Sequence, residues 1–256
     1  MAQTAPSPAE PGTSVRRALA ALRLVAEQGG ANVTEVALQL GVHKSTASRL
    51  MATLAEERFL EREPGGHRYC LGSDALCLAG SAPTWATLSR AVRPALQALA
   101  ETTRTTINLA VVSGNQVMHV DQADDPRSKV KINWVGKLAP AHCTSVGKIL
   151  LAFSTPDVRD RILAQPLASY TPNTVTDVRR LREELGRVRS TGIAHSMGEY
   201  EVGLNGVAAP IRRTDGSTIA ALCASGLPSS LGERNLRKVE SAVRSTADRI
   251  SHRLGA

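Results

Sequence analysis

Between Thr34 and Leu54 the chain places small Ala37, then Gly41 at the fourth position after it, then apolar Val42, Ala47 and Leu50. A small residue lets two helices approach, glycine permits a tight left-handed turn, and the apolar residues hold a second helix against a core. That spacing is the packing requirement of a helix-turn-helix. The residues left over at the start of the second helix, His43, Lys44, Ser45, Thr46, Ser48 and Arg49, are all polar. Lys44 and Arg49 can neutralise phosphates or reach guanine edges, Ser45 and Thr46 can bond phosphates or bases, and a helix N-terminus itself favours an anion. No acidic residue lies between Glu35 and Glu56, so this surface is locally basic. His67 and Arg68 follow within EREPGGHRYCLG, where Pro64-Gly65-Gly66 can reverse the chain into a hairpin wing that touches the DNA backbone or minor groove.

A second chemically suggestive point is Ser145-Val146-Gly147, which opens an apolar helical stretch. Its free amides and the helix dipole favour a carboxylate or similar small anion. Lys148, next in line, reads as a surface residue at the helix start. His119, His142, Cys143 and His195 follow no zinc-ligand spacing, so no metal is expected. Adjacent His142 and Cys143 would face opposite ways in a strand and so make no nucleophile–base pair. P-loop, GxGxxG, GxSxG and HExxH strings are absent, and an enzyme is not expected.

The elements that must position these residues follow from periodicity. Apolar residues at helical spacing predict helices over residues 14–28, 34–40 and 45–57, the first capped by Ser14 and stopped by Gly29-Gly30. Residues 60–63 and 67–71 form the hairpin. A helix over residues 85–103, with Pro94 as a kink or break, serves as a connector. Beyond it, short β-rich runs at 107–112 and 116–121 flank Ser113-Gly114-Asn115, and Val130, Ile132 and Trp134 alternate as a further strand. Helices are predicted at 145–153, 156–165 and 177–190, strands at 206–212 and 218–225, and a closing helix at 233–254. Hairpins, helices and hairpins in that order make an α+β domain with antiparallel sheet, not a wound βαβ sheet.

Composition narrows the classes. With 42% hydrophobic and 21% charged residues the chain has the make-up of a globular protein of one large or two modest domains, which excludes a disordered or collagenous chain. The net charge of +8 suggests a polyanionic partner, but residues 1–75 hold eight basic and eight acidic side chains, so the whole excess belongs to the remainder. DNA recognition must therefore rest on local placement. No apolar run approaches the roughly 20 residues that span a bilayer, and MAQTAPSPAEPG lacks signal-peptide character, so a cytoplasmic protein without membrane contact is expected. Cys70, Cys77, Cys143 and Cys223 are scattered, as befits buried thiols in a reducing compartment.

The segments SVRRALAALRLVAE, TEVALQLGVHKSTASRLMATLAEERFLER, HRYCLG, VGKLAPAHCTSVGKILLAF, GEYEVGLNGVAAPIR and IAALCASGLP, in that order, resemble the IclR family of bacterial transcriptional regulators. Members join a winged helix-turn-helix to a GAF-like effector-binding domain. The family often has small residues where Cys143-Thr144-Ser145-Val146 stand here. The resemblance implies a flexible tail at 1–13, a winged helix-turn-helix at 14–80, a linker helix at 81–103 and an effector-binding domain at 104–256. It places the DNA contacts on His43, Lys44, Ser45, Thr46, Ser48, Arg49, His67 and Arg68. For the effector it nominates Ser145, Val146, Ser196, Glu199, Leu204, Gly206, Cys223 and Ser225, with Trp134 as a core residue that can line the opposite wall. The expected partners are a near-palindromic double-stranded operator, a small carboxylate-bearing effector, and a second copy of the chain as homodimer or dimer of dimers; no cofactor is expected. Two alternatives are a ligand-sensing protein-interaction module and a thiol-redox-responsive repressor using Cys143 or Cys223.

Overall fold

A computed structural model describes residues 13–63, 65–81, 83–127 and 132–255. Of the tail expected at 1–13, residues 1–12 lie outside these residues, as do Pro64 of the wing turn and Val130 of the expected strand, while Thr13 begins the first helix. The chain divides into two compact units after Ala86.

The first unit runs α1 (Thr13–Gln28), β1 (Ala31–Asn32), α2 (Val33–Leu40), α3 (Lys44–Glu56), β2 (Leu60–Arg62), β3 (Arg68–Leu71) and α4 (Ser73–Ser81). Its three strands form an antiparallel sheet in the order β1-β3-β2. Asn32 both pairs in the sheet and caps α2: its Oδ1 accepts from the Thr34 and Glu35 amides while Glu35 Oε2 accepts from the Asn32 amide. This reciprocal capping box starts α2 at Val33, one residue before the expected start at Thr34. Gly41 ends the helix at φ 60°, the left-handed conformation the turn requires. One face of each helix supplies the core, with Ala21, Val25, Val36, Ala47 and Met51 closing on Leu60 and Tyr69 of the sheet.

The second unit takes up most of α5 (Pro83–Thr103), followed by β4 (Thr106–Ser113), β5 (Gln116–Ala123), β6 (Leu138–Pro140), α6 (Ser145–Phe153), α7 (Pro156–Leu163), α8 (Val178–Thr191), β7 (Ala194–Met197), β8 (Asn205–Arg212), β9 (Thr218–Gly226) and α9 (Glu233–Gly255). Pro94 does not break α5, because buried Leu88, Val92, Leu96 and Leu99 on one stripe carry the helix through it.

The six strands are all antiparallel, in the order β6-β5-β4-β9-β8-β7. Strand alternation sorts their residues onto two faces. On one, Ala110, Ala194, Ala208 and Ala221 form a small-residue bed for α6, with α7 and α8 completing the layer. Every α6 residue from Ser145 to Ala152 is buried there. The opposite face carries Ile107, Leu109, Val207, Ile211 and Leu222, and α9 packs against β8 and β9 through Val239, Val243, Ala247 and Ile250.

Among the described residues one expected strand is not formed. Ile132 and Trp134 have no strand pairing; the Gln122 side chain holds them, its Nε2 donating to Ile132 O and its Oε1 accepting from the Trp134 amide. A side-chain amide replaces the main-chain ladder. Conversely, the two-, three- and four-residue strands β1, β6 and β7 are too short for alternation to register in sequence.

Candidate DNA-reading helix and effector cavity

Helix α3 buries Ala47, Met51 and Leu54 and exposes Lys44, Ser45, Ser48 and Arg49 on the other side, with Thr46 half-buried. Ala52 and Thr53 continue this exposed face, one turn beyond the residues the sequence singles out. His43 is exposed but has a local duty as N-cap: its Nδ1 accepts from the Ser45 amide at 3.3 Å and lies 2.9 Å from Ser45 Oγ. The helix therefore begins at Lys44, one residue before the expected start, and carries the exposed polar groups on its first turns.

The wing departs from expectation at Arg68. Its guanidinium bonds Gly30 O and lies 3.5 Å from Glu35 Oε1, which ties β3 to the start of α2. Arg68 is thus a half-buried brace that shares its charge with an acid. The outward basic groups of the hairpin are His67 and Arg62, the latter donating to Tyr69 Oη at 2.8 Å and lying over the Tyr69 ring.

In the second unit a small, half-open cavity lies where α6 begins. Its floor is the polar end of the Ala-lined sheet face: Asn108 on β4, Cys223 and Ser225 on β9, Gly206 on β8 and Ser196 on β7. A Cβ on Gly206 would sit 2.8 Å from Ser145 Oγ, so the helix start lies close against this strand and a larger residue would turn the serine hydroxyl aside. Thr144, Ser145 and Val146 present the first turn of α6 to the cavity. Thr144 caps the helix, donating to Pro140 O and accepting from the Gly147 amide. The amides of Ser145 and Val146 have no carbonyl one turn earlier to bond. His119, Trp134 and Ala139 form one wall, and Tyr200, Glu201, Leu204 and Asn205 form the roof. Aromatic rings run in series around this space: His119 and Trp134 centroids lie 5.6 Å apart, Trp134 and Tyr200 6.1 Å, and Tyr200 and Tyr170 5.1 Å.

Trp134, Ser145, Val146, Ser196, Leu204, Gly206, Cys223 and Ser225 all line the cavity, but Glu199 does not. Both Glu199 oxygens accept from Lys148 Nζ, at 2.6 and 2.8 Å, and the same ammonium donates to Glu184 at 2.7 Å and to His195 O. Lys148, expected on the surface, is fully buried. Three donors on one ammonium are matched by acceptors from α8 and the β7 region, which makes burial of the charge tolerable. Burial nevertheless raises the Glu199 carboxyl above its ordinary range. Asn108, His119, Tyr200 and Glu201 are cavity residues not singled out for it in sequence. Asn108 carried a signal: it is a polar residue within the apolar alternation of TINLAVVS.

The titratable groups here are quiet. Burial lowers His119 to about 4, so its ring is neutral at physiological pH. Burial likewise raises the Cys143 thiol to about 12 and the Cys223 thiol to about 11, leaving neither the thiolate that redox chemistry needs. His142 Nε2 meets Ala168 O and His195 Nε2 meets Glu240. Among the described residues no group of three His, Cys, Asp or Glu side chains gathers in metal-binding geometry, and no helix is long and apolar enough to cross a membrane.

Residues 14–64 match the IclR helix-turn-helix domain, and residues 84–252 match the bacterial transcriptional regulator IclR C-terminal domain. The glycerol operon regulatory protein of Streptomyces griseus is 31% identical over 95% of this chain and 96% of its own. The HTH-type transcriptional regulator Rv1719 of Mycobacterium tuberculosis is 31% identical over 77% of this chain and 76% of its own. The crystal structure of an IclR transcriptional regulator from Alicyclobacillus acidocaldarius aligns with a TM-score of 0.80 at 28% identity, over 94% of this chain and 98% of that one. A reading helix with a locally basic start, a wing beside it, a separate cavity-bearing unit and these similarities converge: the chain belongs to the IclR family of DNA-binding transcriptional regulators, a family without enzymatic activity.

Proposed function

We propose that this regulator's affinity for its operator is set by a small organic acid bound in the cavity at the start of α6. The observation that carries the reading is the meeting of a helix N-terminus with a largely apolar, half-open cavity floored by the sheet. The acid's carboxylate sits at the Ser145 and Val146 amides, and its body lies between the sheet floor and the Trp134 and Tyr200 rings. In the other unit, Lys44, Ser45, Ser48 and Arg49 contact DNA while His43 fixes the helix start and Arg68 holds the wing. One helix-turn-helix binds weakly, so the working unit in the cytoplasm is a homodimer, or a dimer of dimers, on a near-palindromic operator. A ligand acts only through different affinities for DNA-competent and DNA-incompetent arrangements, and that linkage serves repression or activation equally.

Two measurements on the full chain test this. A thermal-shift screen of small carboxylic acids is expected to raise Tm, with the same acids changing operator affinity in fluorescence anisotropy. Arg49→Ala is expected to weaken operator binding about tenfold and to reduce its salt dependence. Normal operator binding with no Tm shift from any acid would remove the effector assignment, and an Arg49→Ala protein that binds as tightly as wild type would remove the reading-helix assignment.

A further inference from the structure

The strands of the wing carry two arginines, and strand alternation sends them to opposite sides of the sheet. Leu60 on β2 and Tyr69 on β3 both close on the helical core; Arg62 follows Leu60 by two residues and pairs directly across from Tyr69. Arg62 therefore lies on the side of the sheet against which α3 packs. Arg68, next to Tyr69, belongs to the other side, where its guanidinium is committed to Gly30 O and Glu35.

Arg62 is exposed, yet its guanidinium is held in place. Nη2 donates to Tyr69 Oη at 2.8 Å, and the group stands 5.1 Å from the centroid of the Tyr69 ring, which the core buries in turn. An exposed arginine ordinarily loses rotamer freedom when it grips a ligand, and this one is ordered in advance. Stacking occupies the face of the guanidinium and Tyr69 takes one donor, which leaves the other N–H groups along its edge for an anion.

The charge is also uncompensated. Among the described residues no acid forms an ion pair with Arg62: of its two glutamate neighbours, Glu61 Oε1 accepts from the Ser73 amide and Glu63 lies beside Gly30. Arg58, just before the hairpin, is paired with Asp74, and Arg68 with Glu35. A fixed, exposed guanidinium without a counter-ion, on the same side of the sheet as α3, is matched by a phosphate, which its planar edge meets bidentately.

We propose that Arg62, and not Arg68, is the wing's DNA contact, that it grips one backbone phosphate, and that Tyr69 is the positioning residue that holds it ready. The proposal rests on α3 being the reading helix. It gives the wing one sequence-independent anchor, which sets the register of the protein on the duplex and not the choice of base.

Because a phosphate contact carries no sequence information, a labelled mixed-sequence duplex of about 40 base pairs, long enough for two half-sites, serves as the probe. Full-length variants are titrated by fluorescence anisotropy over a range of salt. Arg62→Gln is expected to weaken binding about tenfold and to reduce the slope of log affinity against log salt by about one per bound chain. Tyr69→Phe keeps the charge and the ring, so it is expected to weaken binding about threefold with slope and Tm unchanged, a split that a purely structural role would not produce. Arg68→Gln is expected to do the reverse, lowering Tm with the slope unchanged. Wild-type affinity and slope in Arg62→Gln, or a slope that falls in Arg68→Gln instead, would overturn the contact, and a Tyr69→Phe protein indistinguishable from wild type would overturn the positioning. Arg49→Ala separates the two assignments. If it binds this duplex as tightly as wild type, the reading helix and this inference fall together; if it binds weakly while Arg62→Gln is unaffected, this inference falls alone.

Discussion

His119 is a base that the fold keeps neutral, and this makes it a source of acid sensitivity. Its pKa falls from 6.5 to about 4 because burial disfavours the imidazolium. As pH drops, the unfolded chain takes up the proton first, so the stability present above pH 6.5 is lost between 6.5 and about 4, on the order of 3 kcal/mol. The fall in Tm across that window is expected to be shallower in His119→Phe than in wild type; parallel curves would show that the ring does not control it. At this scale the sequence was only partly legible. Asn108 and Ala110 share a face by simple alternation, but that Asn108 pairs with Cys223 depends on two strands joining from opposite ends of the domain. Lys148 was misread because its acidic partners lie 36 and 51 residues away, beyond any local pattern.

Helices with a strong apolar stripe were the most legible elements. The bounds of α6 follow from its residues alone, and α3 differs by one residue because the His43 ring caps it in place of a serine. Strands held by few residues had no periodic signature, whereas the segment around Trp134 alternated like a strand but is held by a side chain at Ile132 and Trp134. That segment nevertheless connects the cavity to α5. The Trp134 amide bonds Gln122, the Gln122 amide bonds Asp121 Oδ1, and the buried Asp121 carboxylate receives Ser89 Oγ at 2.6 Å and the Arg93 guanidinium from α5. These bonds seat α5 on β5 within the second unit, and α5 is the element in which the chain passes from one unit to the other, so the link to be tested runs through Asp121 and Arg93. Arg93→Gln is expected to leave effector affinity within about threefold of wild type while reducing the effector's influence on operator binding. Calorimetry paired with anisotropy measures both, and an unchanged influence would remove Asp121 and Arg93 from the link.

For the whole molecule, the distribution of charge matters more than its total. Residues 1–75 are formally neutral, and the other 181 residues carry 23 basic and 15 acidic side chains, so the net +8 describes the cavity-bearing part of the chain. The proposed recognition rests on a few exposed groups at one helix start, with broad positive charge elsewhere available for long-range attraction to DNA. Coupling of the two units imposes an exact reciprocity. If a saturating effector changes operator affinity by some factor, saturating operator must change effector affinity by the same factor. Titrating each ligand in the presence and absence of the other checks this, and unequal factors would mean that a further state, such as a change of oligomer, intervenes. The order of the two units along the chain was legible from motifs alone, because each is built from locally periodic elements. From periodicity and spacing the cavity was legible only at its α6 edge, because its floor draws on four strands; its other nominated residues came from the family resemblance.

The cavity roof is fastened through its own main chain. Thr171 Oγ1 donates to Gly198 O, Asn173 Nδ2 to Met197 O and Thr174 Oγ1 to Glu199 O, and the Gly198 amide closes the loop onto Leu204 O. None of these bonds uses the side chains of Tyr200, Glu201 or Leu204, which face the ligand space. Mutation at those three positions can therefore alter which metabolite is admitted without unfastening the loop, so a duplicated gene could acquire a new inducer by drift at the roof while inheriting the sheet floor and the DNA-binding unit unchanged.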